Sequence, residues 1–278
     1  MIKIPIHKFE INPTELCNRK CSFCPRALDY PNKNLHMTAE TAEEILKQTK
    51  NFTHRYSITG RGEPLLCKNL YEILTVFRIH DVSFNLTTNG DHLDKHIYEL
   101  DAILNLKEDS NKIKVTVNCY DGKKQKAERY EKYNQYKKLN FTNSREDIPD
   151  GSIYKDRMKR GKFSNRGGTL PWSYNSNIKK PCYILLYKTM VDWNGDVQLC
   201  CHDWKHLKTF GNIHDKPFHE IWLSKEMMNY RKKLSVENGR QSFIECMNCD
   251  AAQEWDYQLE QFESLTSQYS SQLFDPHS

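Results

Sequence analysis

The chain has 278 residues, of which 38% are hydrophobic and 28% charged, and it carries a net charge of +5 at pH 7. That length suits one large domain, or a large and a small one, with enough apolar residues to fill a core. No stretch approaches 18 apolar residues, which argues against a membrane-spanning helix.

The start, "MIKIPIHKFEIN", alternates apolar and polar residues where a signal peptide would carry an apolar block, and it reads as a first strand. "HKFEINPTE" runs from that strand into a cysteine-rich loop. "TAETAEEILKQTK" follows with apolar residues at helical spacing and Thr38 as its cap. "HRYSITG", "VSFNLTTNG" and "KIKVTVNCYDG" read as the second, third and fourth strands. "KNLYEILTVFRIH" and "LDKHIYELDAILN" read as the helices between them, and "KKQKAERYEKYNQYKK" as a strongly polar helix after the fourth strand. "LNFTN" and "GKFSNRGG" are candidates for fifth and sixth strands around a short helix, "SIYKDRMKR". Alternating strands and helices predict an α/β fold with a parallel sheet and helices outside, and six units predict a partial (β/α)6 TIM-like barrel.

After about residue 170 the character changes. "TLPWSYNSNIKKP" has the composition of a linker. In "YKTMVDWNGDVQLCC" two strand-like runs flank Asn194-Gly195, which predicts a two-residue hairpin turn. "PFHEIWLSKEMMNYRKKL" reads as one helix, and "CMNC" opens a helical tail. The expected division is a barrel over residues 1–170, a small α+β domain over 171–254 and a helical tail over 255–278.

Charge is unevenly spread. Residues 122 to 162 hold 13 Lys or Arg against 6 Asp or Glu, a surplus larger than that of the whole chain. A basic stretch of this kind can meet nucleic acid or a phosphorylated substrate, but lysines alternating with polar residues at helical spacing fit a solvated face better. Nucleic acid is therefore disfavoured as a partner.

Ten cysteines point to metal or redox use in a reducing cytoplasm rather than to disulfides. Cys17, Cys21 and Cys24 form C-x3-C-x2-C on the loop after the first strand, at the rim where βα loops gather functional groups. Structural zinc sites and iron–sulfur clusters ordinarily take four protein ligands, and neither Asp29 nor His36 has ligand spacing. Three thiolates leave a position open for a substrate or cofactor. Cys182, Cys200, Cys246 and Cys249 form a second set, C-x17-C-x45-C-x2-C, which suits a four-cysteine zinc site or a fully ligated cluster. A flat hairpin would leave Cys182 roughly 23 Å from the residue facing Cys200. The chain between them must therefore bend, or Cys201 is the reserve ligand.

The three-cysteine loop resembles that of the radical S-adenosylmethionine superfamily, in which an aromatic residue, here Phe23, precedes the last cysteine. "GRGEP" at the end of the second strand is similar to the family's glycine-glycine-glutamate motif, with Arg61 interposed between Gly60 and Gly62 ahead of Glu63. "TTNG" and "VNCYDG" match strand ends where the family contacts the cofactor, and make Asn89 and Asn118 the candidates here. The second set resembles the twitch (SPASM-type) auxiliary-cluster domain. The resemblance implies S-adenosylmethionine and two 4Fe–4S clusters. Three cysteines would hold the first cluster, whose open iron binds the amino and carboxylate groups of S-adenosylmethionine, and four would hold the second.

By the same resemblance, a 5′-deoxyadenosyl radical abstracts a hydrogen atom and the second cluster accepts an electron. The reaction expected is oxidation of a secondary alcohol on a small carbohydrate-like or aminocyclitol substrate, with flavodoxin or ferredoxin as electron donor. The alternatives are an epimerase with a cysteine hydrogen donor and a peptide- or nucleic-acid-modifying enzyme. Cys119, Cys201 and Arg166 are the candidate catalytic residues. Strand alternation sends Asn118 and Cys119 to opposite faces without fixing which faces inward. Cys201 opens "CHD", the stretch expected to face substrate, and Arg166 is placed to anchor a substrate oxygen or acid. Cys67 reads as a small buried apolar residue, and His202, His206, His214 and His219 as packing or surface residues.

Overall fold

The structure, a computed structural model, describes residues 6–53, 55–106, 113–120, 129–142, 164–171 and 179–251. Five parallel strands come first: β1 (Lys8–Ile11), β2 (Arg55–Ile58), β3 (Ser83–Thr88), β4 (Ile113–Asn118) and β5 (Leu139–Thr142). Helices α1 (Ala39–Thr49), α2 (Leu70–Ile79) and α3 (Leu93–Leu104) connect the first four. Thr38 caps α1, its side chain accepting from the Thr41 N–H. Then β6 (Lys188–Val191) runs parallel to the free edge of β1, and β7 (Asp196–Gln198) and β8 (Thr209–Asn212) add antiparallel strands. The order β5-β4-β3-β2-β1-β6-β7-β8 is open, giving a partial barrel that continues into the C-terminal segment.

Register separates the two faces of the sheet. Phe9, Tyr56, Phe84 and Ile113 lie side by side on one row. All four are buried, with Phe77 of α2 packed edge-on against Tyr56 and Phe84. The neighbouring row, Glu10, Ser57, Asn85 and Lys114, is polar and faces the barrel interior. A sheet covered by helices on its apolar face thus keeps a polar concave face for a ligand.

Four sequence expectations change. Of "GKFSNRGG" the described residues 164–168 form no strand; the chain turns there, with Arg166, Gly167 and Gly168 all at positive φ. The place beside β1 belongs instead to β6. From residue 131 the polar helix shortens to a 3-10 turn, Glu131–Tyr133, which sets Tyr130 and Tyr133 against Phe141. The hairpin loop has three residues rather than two. Asp192 N–H donates to the Asp196 carbonyl and Gly195 turns with φ +89°, so Val191 faces Val197. Finally, the helix over 217–234 is two, α5 (Phe218–Trp222) and α6 (Lys225–Leu234), because Ser224 starts the second by accepting from the Met227 N–H. The "SIYKDRMKR" helix, much of the basic stretch and the C-terminal tail lie outside the described residues. Among the described residues no helix is long and apolar enough to cross a membrane.

Candidate functional site

A cavity of about 570 Å³ opens on the concave face at the strand ends. Cys17, Cys21 and Cys24 all line it, on the loop leaving β1. The loop is held from both sides. Cys17 N–H donates to the Asn32 side chain and Cys24 N–H to the Cys21 carbonyl. Arg26, 3% exposed, donates to the backbone of Glu15 and Arg61. Phe23 lies against the ring of Tyr120, 5.6 Å between centroids. Burial pushes the Cys17 thiol above its ordinary value, with Glu63 adding to the shift.

Glu63 is built into the same wall. Its carboxylate accepts from the Leu65 N–H (3.0 Å), the Thr88 hydroxyl (2.6 Å) and the Asn89 N–H (2.7 Å). Burial raises it to about 7, and among the described residues no Lys or Arg pairs with it. A buried carboxylate without a counter-ion on a cavity wall fits a ligand's ammonium group. The glycines beside it are needed for packing. A Cβ on Gly62 would lie 2.1 Å from the Thr14 carbonyl oxygen, and one on Gly60, at φ +144°, the same distance from the Asn12 side chain. Asn89 donates to Asn18 on the cysteine loop, and Asn118 ends β4 on the cavity wall. The cavity therefore gathers Phe23, Gly60, Gly62, Glu63, Asn89 and Asn118 around the three cysteines.

Cys119 is not part of this wall. It is 2% exposed within the hydrophobic core, its N–H bound to the Thr142 carbonyl at 2.6 Å. Since its neighbour Asn118 faces the cavity, alternation sends the Cys119 thiol the other way, which removes it as a candidate hydrogen donor. Cys67 is buried as expected. Arg166 and Cys201 do line the cavity. The Arg166 turn is pinned by Gly167, where a Cβ would lie 2.3 Å from the His202 carbonyl oxygen.

A charged cluster on the cavity wall, Lys8, Glu10 and Lys188, has no counterpart in the sequence reading. Lys188 of β6 sits 2.8 Å from the Glu10 carboxylate and 3.1 Å from the Cys201 sulfur, while Lys8 takes the other Glu10 oxygen at 2.9 Å. Burial opposes ionisation of Glu10, but Lys188 and Lys8 outweigh it and bring its pKa down to about 2. The signal was present in "KFEI", whose charged residues alternate with apolar ones, but their partner lies far along the chain.

A second, smaller cavity is lined by Cys182, Cys200, Cys246 and Cys249 together with Arg240. Helix α4 (Ile184–Tyr187) takes up the residues between Cys182 and β6, which supplies the bend. Burial raises Cys200, and Cys201, Cys249, Cys246 and Cys182 raise it further, while burial brings Cys249 up to about 11. Thiols so crowded resist ionisation alone, and coordination to positive metal centres relieves that cost. Among the described residues no three His, Cys, Asp or Glu side chains close to single-ion range. The four cysteines do share one cavity. The two cavities share a wall: Ile184 and His202 line both, and the adjacent Cys200 and Cys201 face one each. The four late histidines do not converge. His202 bonds Ser164, His206 approaches Asp192 and His214 bonds Thr41.

Comparison with known proteins matches the description Radical SAM superfamily over residues 11–148 and an iron–sulfur cluster-binding domain, SPASM, over 182–250. An S-adenosyl-L-methionine-dependent 2-deoxy-scyllo-inosamine dehydrogenase from Niallia circulans is 26% identical over 262 residues, covering 90% of this chain and 97% of the relative. Probable GTP 3′,8-cyclase of Methanocaldococcus jannaschii is 38% identical over 105 residues, but that spans 36% of this chain and 34% of the relative. Among solved structures, BtrN in complex with AdoMet and 2-DOIA superposes with a TM-score of 0.68 at 24% identity, covering 90% of this chain and 95% of that one. SuiB of Streptococcus suis bound to its precursor peptide SuiA gives 0.58 at 16% identity, covering 89% and 70%. These structural likenesses speak to the fold.

Proposed function

The chain belongs to the radical S-adenosylmethionine superfamily and carries its SPASM iron–sulfur domain, and from that premise we propose that it is a dehydrogenase oxidising a secondary alcohol on a small carbohydrate-like substrate. Its cofactors are S-adenosylmethionine and two 4Fe–4S clusters. In this reading Cys17, Cys21 and Cys24 hold the first cluster, and Cys182, Cys200, Cys246 and Cys249 the second. With the first cluster reduced and the second oxidised, these groups would supply a hydrogen-abstracting 5′-deoxyadenosyl radical and an electron acceptor.

The chain's own residues bind and aim. Glu63, held by its three hydrogen-bond donors, would accept from the methionyl amine, with Gly60 and Gly62 packing that turn against the cysteine loop. Asn89 and Asn118 face the ribose and carboxylate, and Phe23 closes the cluster side of the cavity. Arg166 anchors a substrate oxygen, while the Glu10–Lys188 pair gives the floor its polarity. The division proposed is a barrel unit over 1–170, to which β6 adds a strand from the auxiliary unit over 171–254, with 255–278 left as a C-terminal segment. Flavodoxin or ferredoxin supplies the reducing electron, in a cytoplasm that keeps ten cysteines reduced.

One observation carries the oxidative reading: Ile184 and His202 separate the substrate cavity from the four-cysteine cavity by a single layer of side chains. A carbon held against that layer lies beside an electron acceptor. A second reading, epimerisation, draws on the Cys201 thiol, which lines the substrate cavity. The deciding experiment is anaerobic turnover with cell extract in deuterium oxide, followed by mass spectrometry. Oxidation yields a product lighter by two hydrogens and free of deuterium from that step. An isomeric product carrying one deuterium would overturn the dehydrogenase in favour of the epimerase.

A further inference from the structure

Arg240 is a large side chain in an unusual place. It follows Gly239 at the start of a 3-10 helix, Gly239–Ser242, where the chain packs so closely that a Cβ on Gly239 would lie 1.7 Å from the Lys233 carbonyl oxygen. Arg240 is 2% exposed. Its Nε donates to the Lys180 carbonyl at 3.4 Å and its Nη1 to the Cys249 carbonyl at 3.1 Å. The guanidinium therefore spans the backbone beside Cys182 and at Cys249. Its Nη2 is buried and has no hydrogen-bond partner.

A buried guanidinium without a counter-anion is costly. Among the described residues no carboxylate forms a salt bridge with Arg240. Glu245 lines the same cavity, but its carboxylate accepts from the Tyr230 hydroxyl. The groups that act most on Arg240 are the sulfurs of Cys182, Cys249 and Cys246, anionic once they ligate a metal, whereas the Asp250 carboxyl accepts from the Asn165 N–H and is influenced less by Arg240 than by Asn165 and His202. A cluster with four thiolates carries net negative charge and presents sulfur acceptors, so it supplies both the charge and the hydrogen-bond partner that the arginine lacks.

We propose that Arg240 is a potential-setting residue for the four-cysteine cluster, its buried positive charge stabilising the reduced form and so making that cluster an electron acceptor. The proposal rests on the assignment of that cluster to Cys182, Cys200, Cys246 and Cys249. Reduction adds one negative charge beside the guanidinium. In a low-dielectric surrounding the interaction with that charge is strong, and it favours the reduced state over the oxidised one. Removing the charge lowers the midpoint potential, and a charged replacement restores it. Arg240 touches neither substrate nor the reacting atoms; it acts through the cluster.

The test is an anaerobic redox titration of the reconstituted full chain, followed by electron paramagnetic resonance, for the parent, Arg240→Met and Arg240→Lys. The first cluster serves as the internal reference. In Arg240→Met the fraction of second cluster reduced at a fixed potential falls at least tenfold in its reduced-to-oxidised ratio, about 59 mV for one electron. Arg240→Lys recovers most of that loss, and the first cluster does not move. Equal shifts in the two variants would overturn the proposal, because the effect would then be packing rather than charge. So would an unmoved potential in a variant with full iron. If Arg240→Met fails to hold its iron, Arg240→Gln takes its place in the same comparison. A parent chain that reconstitutes without a second cluster overturns the cluster assignment as well, and iron content separates that failure from the arginine's own.

Discussion

Arg61 and Asp192 form a buried ion pair across the molecule: one guanidinium nitrogen lies 2.8 and 3.0 Å from the two carboxylate oxygens, and the side chains are 1% and 2% exposed. Arg61 also donates to the Asp203 carbonyl at 2.9 Å. The residue that interrupts the glycine-glycine-glutamate pattern therefore ties the Glu63 turn to the hairpin loop and to the loop after Cys200. Burial opposes the Asp192 charge, but His206 and Arg61 outweigh it and hold the acid below its ordinary value. Removing one partner of such a pair strands the other, at a cost of about 3–5 kcal/mol. Arg61→Ala is expected to lose stability of that order at matched iron content. Asp192→Ala in the same background should cost less than it does alone. Additive effects in a double-mutant cycle on the denaturation midpoint would contradict the strut.

Glu63 makes S-adenosylmethionine binding depend on pH. Burial raises its carboxyl to about 7 in the ligand-free chain, so below that pH the group is protonated and is a poor acceptor for the methionyl amine. Affinity measured by equilibrium dialysis should rise with pH, by up to about tenfold per unit, and level off above about 7. Glu63→Gln should bind weakly and with a shallower slope, the part that remains coming from the cofactor's own amino group. Folding has the opposite sense. With its folded value raised from 4.5, Glu63's contribution is complete below 4.5 and is lost as pH rises through about 7. A slope no steeper in the parent than in Glu63→Gln would remove Glu63 from the amine site.

Much of this site was legible because its residues fall on local patterns. The three-cysteine loop, the glycine turn and the ends of β3 and β4 each occupy a few consecutive residues, and parallel strands bring such ends to one rim. What the sequence hid is what depends on pairing across the sheet. β6 joins the barrel because it finds the free edge of β1, and only that register sets Lys188 beside Glu10. β8 was missed because its four residues include a glycine and do not alternate. Asn118 and Cys119 became distinguishable only once β4 paired with β3 and β5.

The first cysteine set is separable from the second. Replacing Cys17, Cys21 and Cys24 together with alanine should abolish 5′-deoxyadenosine formation while leaving the four-cysteine cavity intact. Iron content should fall from about eight to about four per chain. Cofactor cleavage that persists in the triple variant would falsify the assignment of the first cluster, and a residual zinc in place of four irons would overturn that of the second.

Lys188 supports the cavity floor electrostatically. Glu10 is lowered from 4.5 to about 2, a shift equivalent to about 3 kcal/mol of stability. Because the folded value is the lower one, that contribution is complete above 4.5 and disappears as pH falls through about 2. Lys188→Met leaves only Lys8 on the carboxylate and should forfeit a large part of it at neutral pH. Acid unfolding of the variant should begin at higher pH than in the parent. Coincident acid-unfolding curves would mean that Lys8 alone suffices.

Cys201 decides between the two readings of the reaction. Its sulfur is 3.1 Å from the Lys188 ammonium and lines the substrate cavity, whereas its neighbour Cys200 lines the other. An epimerase must return a hydrogen atom to carbon, and a thiol gives one up far more readily than a hydroxyl. A dehydrogenase needs no such donor, since its substrate loses a proton and an electron. Cys201→Ser preserves a small polar group beside Lys188 while removing the transferable sulfur-bound hydrogen. Oxidation predicts that this variant still forms the lighter product, at a rate within about tenfold of the parent, the change tracking altered binding of one polar group. A parent product that is instead isomeric and carries deuterium, and that is lost in Cys201→Ser while cofactor cleavage continues, would mark Cys201 as the hydrogen source and favour epimerisation.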